Sequence, residues 1–139
     1  MRRVDVSYSL IDGSNTKVLM VKNKGNSTWS LPGGAVEKEE TLDQAAIRET
    51  KEETGLDVKL FGIVAINECI FEERKEHVVF VTFRAEIVGG TEEIIRPNEI
   101  AEIAWIDFSK ADELMPYYKG GISTIATGSE ITYFNQGRV

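Results

Sequence analysis

Three glutamates, at 49, 52 and 53, constrain this chain more than any other feature. They lie in the segment 34–56, GAVEKEETLDQAAIRETKEETGL, whose middle reads as a helix. Thr41 and Gln44 have capping-box spacing, Leu42, Ala45 and Ala46 recur at helical intervals with Thr50 beside them, and Gly55 stands where a helix stops. A repeat of about 3.6 residues per turn puts Glu49, Glu52 and Glu53 on one face. Like charges at that spacing repel and raise each other's pKa. For the glutamates alone, a solvated acidic face is the plain alternative. A hard divalent cation reverses the sign of their interaction. With no nitrogen or sulfur ligand nearby, Mg2+ or Mn2+ suits the face better than zinc. The chain has one cysteine, Cys69, and one histidine, His77, too few for a Cys/His zinc site or an intramolecular disulfide.

Such a face matches the chemistry of a diphosphate linkage, which is highly anionic and repels hydroxide. A bound cation can neutralise phosphate oxygens and acidify water, and a nearby carboxylate can take the water's proton. Arg48, next to the acidic face, can orient a carboxylate through a charge-assisted hydrogen bond.

Elsewhere the pattern predicts strands at 4–11 and 17–22, joined as a hairpin by Asp12-Gly13-Ser14-Asn15. A polar loop at 22–28 leads to Trp29-Ser30-Leu31-Pro32-Gly33-Gly34, a shaped loop or strand end. Further strands are expected at 57–70, 77–88 and 101–106. Helices are expected at 109–115, capped by Ser109, and near 121–127. Strands outnumber helices, which suggests a mixed sheet with helices packed on its faces. There is no repeat or low-complexity tract, and 139 residues suit one domain, 1–139.

The segment 34–56 resembles the signature of the Nudix hydrolase family. Gly34, Glu40, Arg48, Glu49, Glu52, Glu53 and Gly55 stand at its fixed positions, and Leu56 fills its final aliphatic slot. Chance agreement at all of these is on the order of 10⁻⁸ or below per start position. Thr50 departs from the usual aliphatic. Trp29-Ser30-Leu31-Pro32-Gly33 is similar to the family's lead-in, and 98–105 to its late acidic segment. The resemblance implies an α/β (α+β) fold, an α/β/α sandwich with a mixed sheet and a central catalytic loop-helix. It implies a MutT-like pyrophosphohydrolase with Glu49, Glu52, Glu53 and the Gly33 carbonyl as metal ligands. Arg48 would hold Glu49, and Glu40 would support the loop-helix. Glu99 is the leading general base, with Glu52 and Glu53 as rivals and Glu102 as a second acid that could point inward. Lys22, Trp29 and Gly34 are expected at the substrate, with Lys24 and Arg84 open. His77 reads as structural and Cys69 as a small buried hydrophobe.

Substrate class is expected by elimination. Some subfamilies carry a proline or tyrosine about sixteen residues past the signature; here Phe71-Glu72-Glu73 stands there. The expectation is a nucleoside triphosphate or related nucleotide. The alternatives are an RNA 5′ pyrophosphohydrolase, an ADP-ribose or nucleotide-sugar pyrophosphatase, and a non-catalytic nucleotide sensor. A net charge of -7 disfavours nucleic acid as a partner. The lone cysteine and the lack of an apolar leader or span point to the cytoplasm. A homodimer is compatible with the resemblance, though no segment demands one.

Overall fold

The computed structural model describes residues 1–139. Its elements run β1 (Arg2–Gly13), β2 (Lys17–Asn23), β3 (Trp29–Ser30), β4 (Gly33–Ala35), α1 (Leu42–Thr54), β5 (Leu56–Phe71), β6 (Glu76–Gly90), β7 (Ile100–Asp107), α2 (Phe108–Leu114) and α3 (Ile122–Thr127). The seven-stranded sheet is mixed. It runs β3-β2-β1-β6-β5, with β4 added on β1 and β7 on β2. Only β1 and β6 pair in parallel.

The expected hairpin forms only at its tip. β1 and β2 share two registered pairs, Asp12↔Val18 and Gly13↔Lys17, and then diverge. Beyond the fork β2 pairs along its length with β7, while β1 runs beside β6. The lysine-flanked apolar run at 17–22 specifies a buried strand but not its neighbour. Val18, Leu19, Met20 and Val21 are all fully buried because both faces of β2 are covered.

Helix α1 packs against β1, β4, β5 and β6 on one side of the sheet. Ala46 meets Val81 and Phe83 there, with Leu42 at the edge. On the other side α2 and α3 bring Ala111, Met115, Ile122 and Ala126 onto Leu10, Val18, Met20 and Leu31. Val78, Val81, Thr82 and Phe83 are buried on β6, as expected for a central strand covered on both faces. The molecule is thus an α/β/α sandwich.

The capping box at Thr41 and Gln44 forms, and Gly55 closes α1 in the left-handed region at φ 79°. One expected cap is corrected. Asp107, not Ser109, caps α2: its Oδ1 accepts from the Lys110 amide at 2.9 Å and from Ser109 Oγ at 2.8 Å. A carboxylate already at that position outcompetes a hydroxyl that lies inside the first turn.

Past α3 the chain returns to α1. Ile131 bridges to Ile63, and Tyr133 packs edge-on against Phe83. Asn135 Nδ2 donates to Asp43 Oδ1 at 3.0 Å, and the Arg138 guanidinium reaches the Glu39 carbonyl. Arg84 is committed to the same region. It pairs with Glu130 at 2.6 Å and donates to the carbonyls of Ala126 and Gly128.

Candidate active site

The carboxylates of α1 and its leading loop are sorted by two arginines and one backbone amide. Arg48 sits one position before Glu49, so its long side chain can sweep across both the loop and the acidic face. Its Nε and Nη2 donate to the two oxygens of Glu40 at 2.6 and 2.8 Å. Its Nη1 donates to Glu49 Oε1 at 2.7 Å and to Glu52 Oε1 at 3.2 Å. This two-pronged hold is strong and directional. It keeps the Glu40 carboxyl below the usual range and raises the Arg48 pKa further.

Glu53 is treated differently. It is 8% exposed and is held by the Gly33 amide, which donates to its Oε1 at 3.0 Å. Burial pushes its pKa up to about 8; the Gly33 hydrogen bond opposes the shift, and the negative charges of Glu49 and Glu99 add to it. Burial also raises Glu49, against the pull of Arg48.

Two glycines make room for this arrangement. A Cβ on Gly34 would lie 2.6 Å from Glu49 Cδ, so the signature glycine is a space requirement of the carboxylate. A Cβ on Gly33 would collide with the Ser7 carbonyl and Tyr8, preventing the β4–β1 pairing that aims the Gly33 amide.

The residue that sequence reasoning missed is Arg96. Its guanidinium faces Glu52 Oε2, and its Nη1 donates to Glu99 Oε2 at 3.2 Å. It brings Glu99, which is 54% exposed, over to the acidic face. The available signal was a cation three residues before Glu99 in the run Arg96-Pro97-Asn98-Glu99. Glu52 Oε2 is sealed from solvent beneath the Arg96 guanidinium. No three acidic, cysteine or histidine side chains converge as a preformed metal cage.

Beside this cluster opens a cleft of about 600 Å³, which it meets at Gly33. Its walls include Tyr8, Trp29, Asn67, Phe71, Phe80 and Tyr117. Tyr8 and Phe80 stack at 5.8 Å between centroids, and Phe71 meets Phe80 edge-on at 6.5 Å. The Arg74 guanidinium covers Phe71 at 3.9 Å. Trp29 is half-buried and serves both the cleft wall and the apolar cluster beneath it.

The other expected positions are scattered. Lys22 is outside the cleft lining, with its Nζ 4.0 Å from Glu102. Glu102 does not point inward: its side chain is 59% exposed, because alternation along β7 turns it away while Ile103 packs inward. Lys24 donates to the Pro97 carbonyl at 3.1 Å and so braces the loop of Glu99. Arg84 is tied into the returning chain. His77 pairs with Glu68 at 2.7 Å. Cys69 is exposed on the cleft wall rather than buried, since this part of β5 is an edge with no helix over it.

The model of the NUDIX domain matches residues 1–125. An ADP-ribose pyrophosphatase from Methanocaldococcus jannaschii is 31% identical over 75% of the chain. The chain spans 64% of that relative's length. A putative 8-oxo-dGTP diphosphatase from Bacillus subtilis is 26% identical, covering 89% of this chain and 80% of that one. A NUDIX hydrolase from Nitrosomonas europaea shares the fold, with a TM-score of 0.72 at 20% identity, over 85% of this chain and 81% of that one.

Proposed function

The chain belongs to the NUDIX domain family, and from that premise we propose that it is a divalent-metal-dependent hydrolase that cuts a diphosphate linkage in a nucleotide. The observation that carries this reading is the meeting of two unlike surfaces at Gly33. Its amide holds the buried Glu53 carboxylate on one side, and its backbone lines the aromatic cleft on the other.

The residues fit a hard cation. The donors are all oxygens, and Glu53 is buried against a neutral amide. Glu49, Glu52, Glu53 and the Gly33 carbonyl would hold Mg2+ or Mn2+. When bound, such a cation neutralises phosphate charge and lowers the pKa of its water. The chain's own groups do the rest. Arg48 holds Glu49 and Glu52 in place, and Glu40 anchors Arg48 from behind. With Glu49, Glu52 and Glu53 engaged as ligands, Glu99 is the acid free to take a proton, positioned by Arg96.

The substrate we favour is a nucleoside triphosphate or a closely related nucleotide. The name of the archaeal relative supports ADP-ribose as a second reading, and the same cleft would receive either. The test is a panel of nucleoside triphosphates, ADP-ribose, dinucleoside polyphosphates, nucleotide sugars and 5′-triphosphorylated RNA, assayed with and without Mg2+ or Mn2+. Metal-dependent turnover that disappears in Glu53→Gln supports the hydrolase and names its substrate. If no member turns over while nucleotides still raise the melting temperature, the chain is a binding module.

A further inference from the structure

Glu52 has both carboxylate oxygens engaged by guanidinium groups. Oε1 accepts from Arg48 Nη1 at 3.2 Å, and Oε2 lies sealed from solvent beneath Arg96. A guanidinium and a metal ion cannot use the same oxygen at once, and nothing from solvent reaches Oε2 while Arg96 covers it. For Glu52 to serve as a metal ligand, one arginine has to yield.

The two arginines differ in how firmly they are held. Arg48 grips both oxygens of Glu40, Glu49 Oε1 and the Ala35 carbonyl. Arg96 has Glu99 as its one other carboxylate, and both side chains are solvent-accessible. The backbone around Arg96 is nonetheless fixed. The Glu93 amide donates to the Thr54 carbonyl at 2.9 Å, and Lys24 ties down the carbonyls of Pro97 and Glu99. The Arg96 carbonyl accepts from the amides of Glu99 and Ile100 at 3.0 and 2.9 Å. Exchange at Glu52 is therefore a swing of the Arg96 side chain over a fixed turn. Nη1 can keep Glu99 throughout, because the two residues belong to that same turn.

Charge sets the direction of the exchange. A guanidinium spreads one charge over a plane, whereas a hard divalent cation concentrates two on its oxygen ligands. The guanidinium yields at sufficient cation concentration, and it lowers the apparent affinity by the fraction of molecules in which Glu52 is taken. Resting on the reading of the chain as a metal-dependent hydrolase, we propose that Arg96 is a built-in rival of the cation for Glu52 Oε2, and that release from Glu52 leaves it holding Glu99 alone. Arg96 is a positioning residue in this scheme, tying the placement of Glu99 to the occupancy of Glu52.

Mn2+ binding by the free protein, followed through the loss of the free-ion paramagnetic resonance signal, tests the rivalry without turnover. Wild type is compared with Arg96→Met, Arg96→Lys and Lys51→Met. Lys51 lies on the same helix but pairs with Asp57, so its removal reports the general field alone. Arg96→Met should bind Mn2+ about fivefold or more tightly than wild type. Arg96→Lys, which keeps the charge, and Lys51→Met should stay close to wild type. In turnover assays kcat of Arg96→Met should fall, because Glu99 has lost its holder. A residue that only supports the fold would lower affinity and kcat together. Unchanged or weaker Mn2+ binding in Arg96→Met overturns the proposal and leaves the hydrolase standing, as does equal tightening in Lys51→Met. Tightening confined to Arg96→Met, with no turnover of any nucleotide by wild type, supports the rivalry and removes the hydrolase. Absence of Mn2+ binding by every protein overturns both.

Discussion

The acidic cluster and the aromatic cleft meet at Gly33 but are built in opposite ways. Apart from Arg96 and Glu99, the cluster is local: Gly33, Gly34, Glu40, Arg48, Glu49, Glu52 and Glu53 come from one stretch of chain. One helix and its leading loop supply the geometry, and Arg48 ties the two together. The cleft draws on β1, β3, β5, β6 and the segment after α2, so no single stretch encodes it. A chemistry that must not vary is held by short-range spacing. A recognition surface spread over distant strands can change one side chain at a time without disturbing that chemistry.

Four expected outcomes can break or sharpen this contrast. The largest concerns Glu53→Gln, which should lower kcat on the order of 10³-fold, because a neutral amide cannot hold the cation that the carboxylate would. Retained turnover would show that the chemistry does not run through the local cluster. Next is Gly34→Ala. The added methyl displaces the Glu49 carboxyl by the width of a close contact, and kcat should fall on the order of 10²-fold with a small change in melting temperature. A large loss of stability with normal kcat would make Gly34 a folding residue instead.

Trp29→Ala probes the other region. It should raise KM about tenfold through lost stacking and leave kcat within a few-fold, a split the cluster variants would not show. If kcat falls alone, cleft and cluster are not separable.

The smallest effect is on pH dependence. The folded-state pKa of Glu53, about 8, lies above its ordinary value of 4.5. The folded chain therefore keeps this proton longer than the unfolded chain does. The stabilisation is complete below pH 4.5 and is lost as pH rises through 8. Melting curves of the metal-free protein should show a decline over that window, and Glu53→Gln should flatten it. Mg2+ should raise the melting temperature more at pH 8 than at pH 5. Parallel profiles for the two proteins would remove Glu53 as the source.

What could be read in the sequence follows the same division. The capping box, the Gly55 stop and the common face of the glutamates depend on neighbours a few residues apart, and spacing reports them directly. The partner of β2 was not legible, because a continuous apolar run specifies that a strand is covered on both faces and not which strand lies beside it. Cys69 carries no local sign that β5 would be an uncovered edge there. Arg96 and Arg74 sit in ordinary charged runs, and only the fold brings one to Glu52 and the other over Phe71.

The return of the chain over α1 sets an order of events during synthesis. The start of the signature helix is fastened by Tyr133 and Asn135 on Asp43, and the loop before it by Arg138 on Glu39. A nascent chain holds the whole signature long before it holds these fasteners, and the ribosome exit tunnel sequesters them longer still. The signature is therefore made early and the first turn of its helix fastened late. A chain stalled or clipped before residue 133 would carry every letter of the signature on a helix whose first turn lacks its clasp.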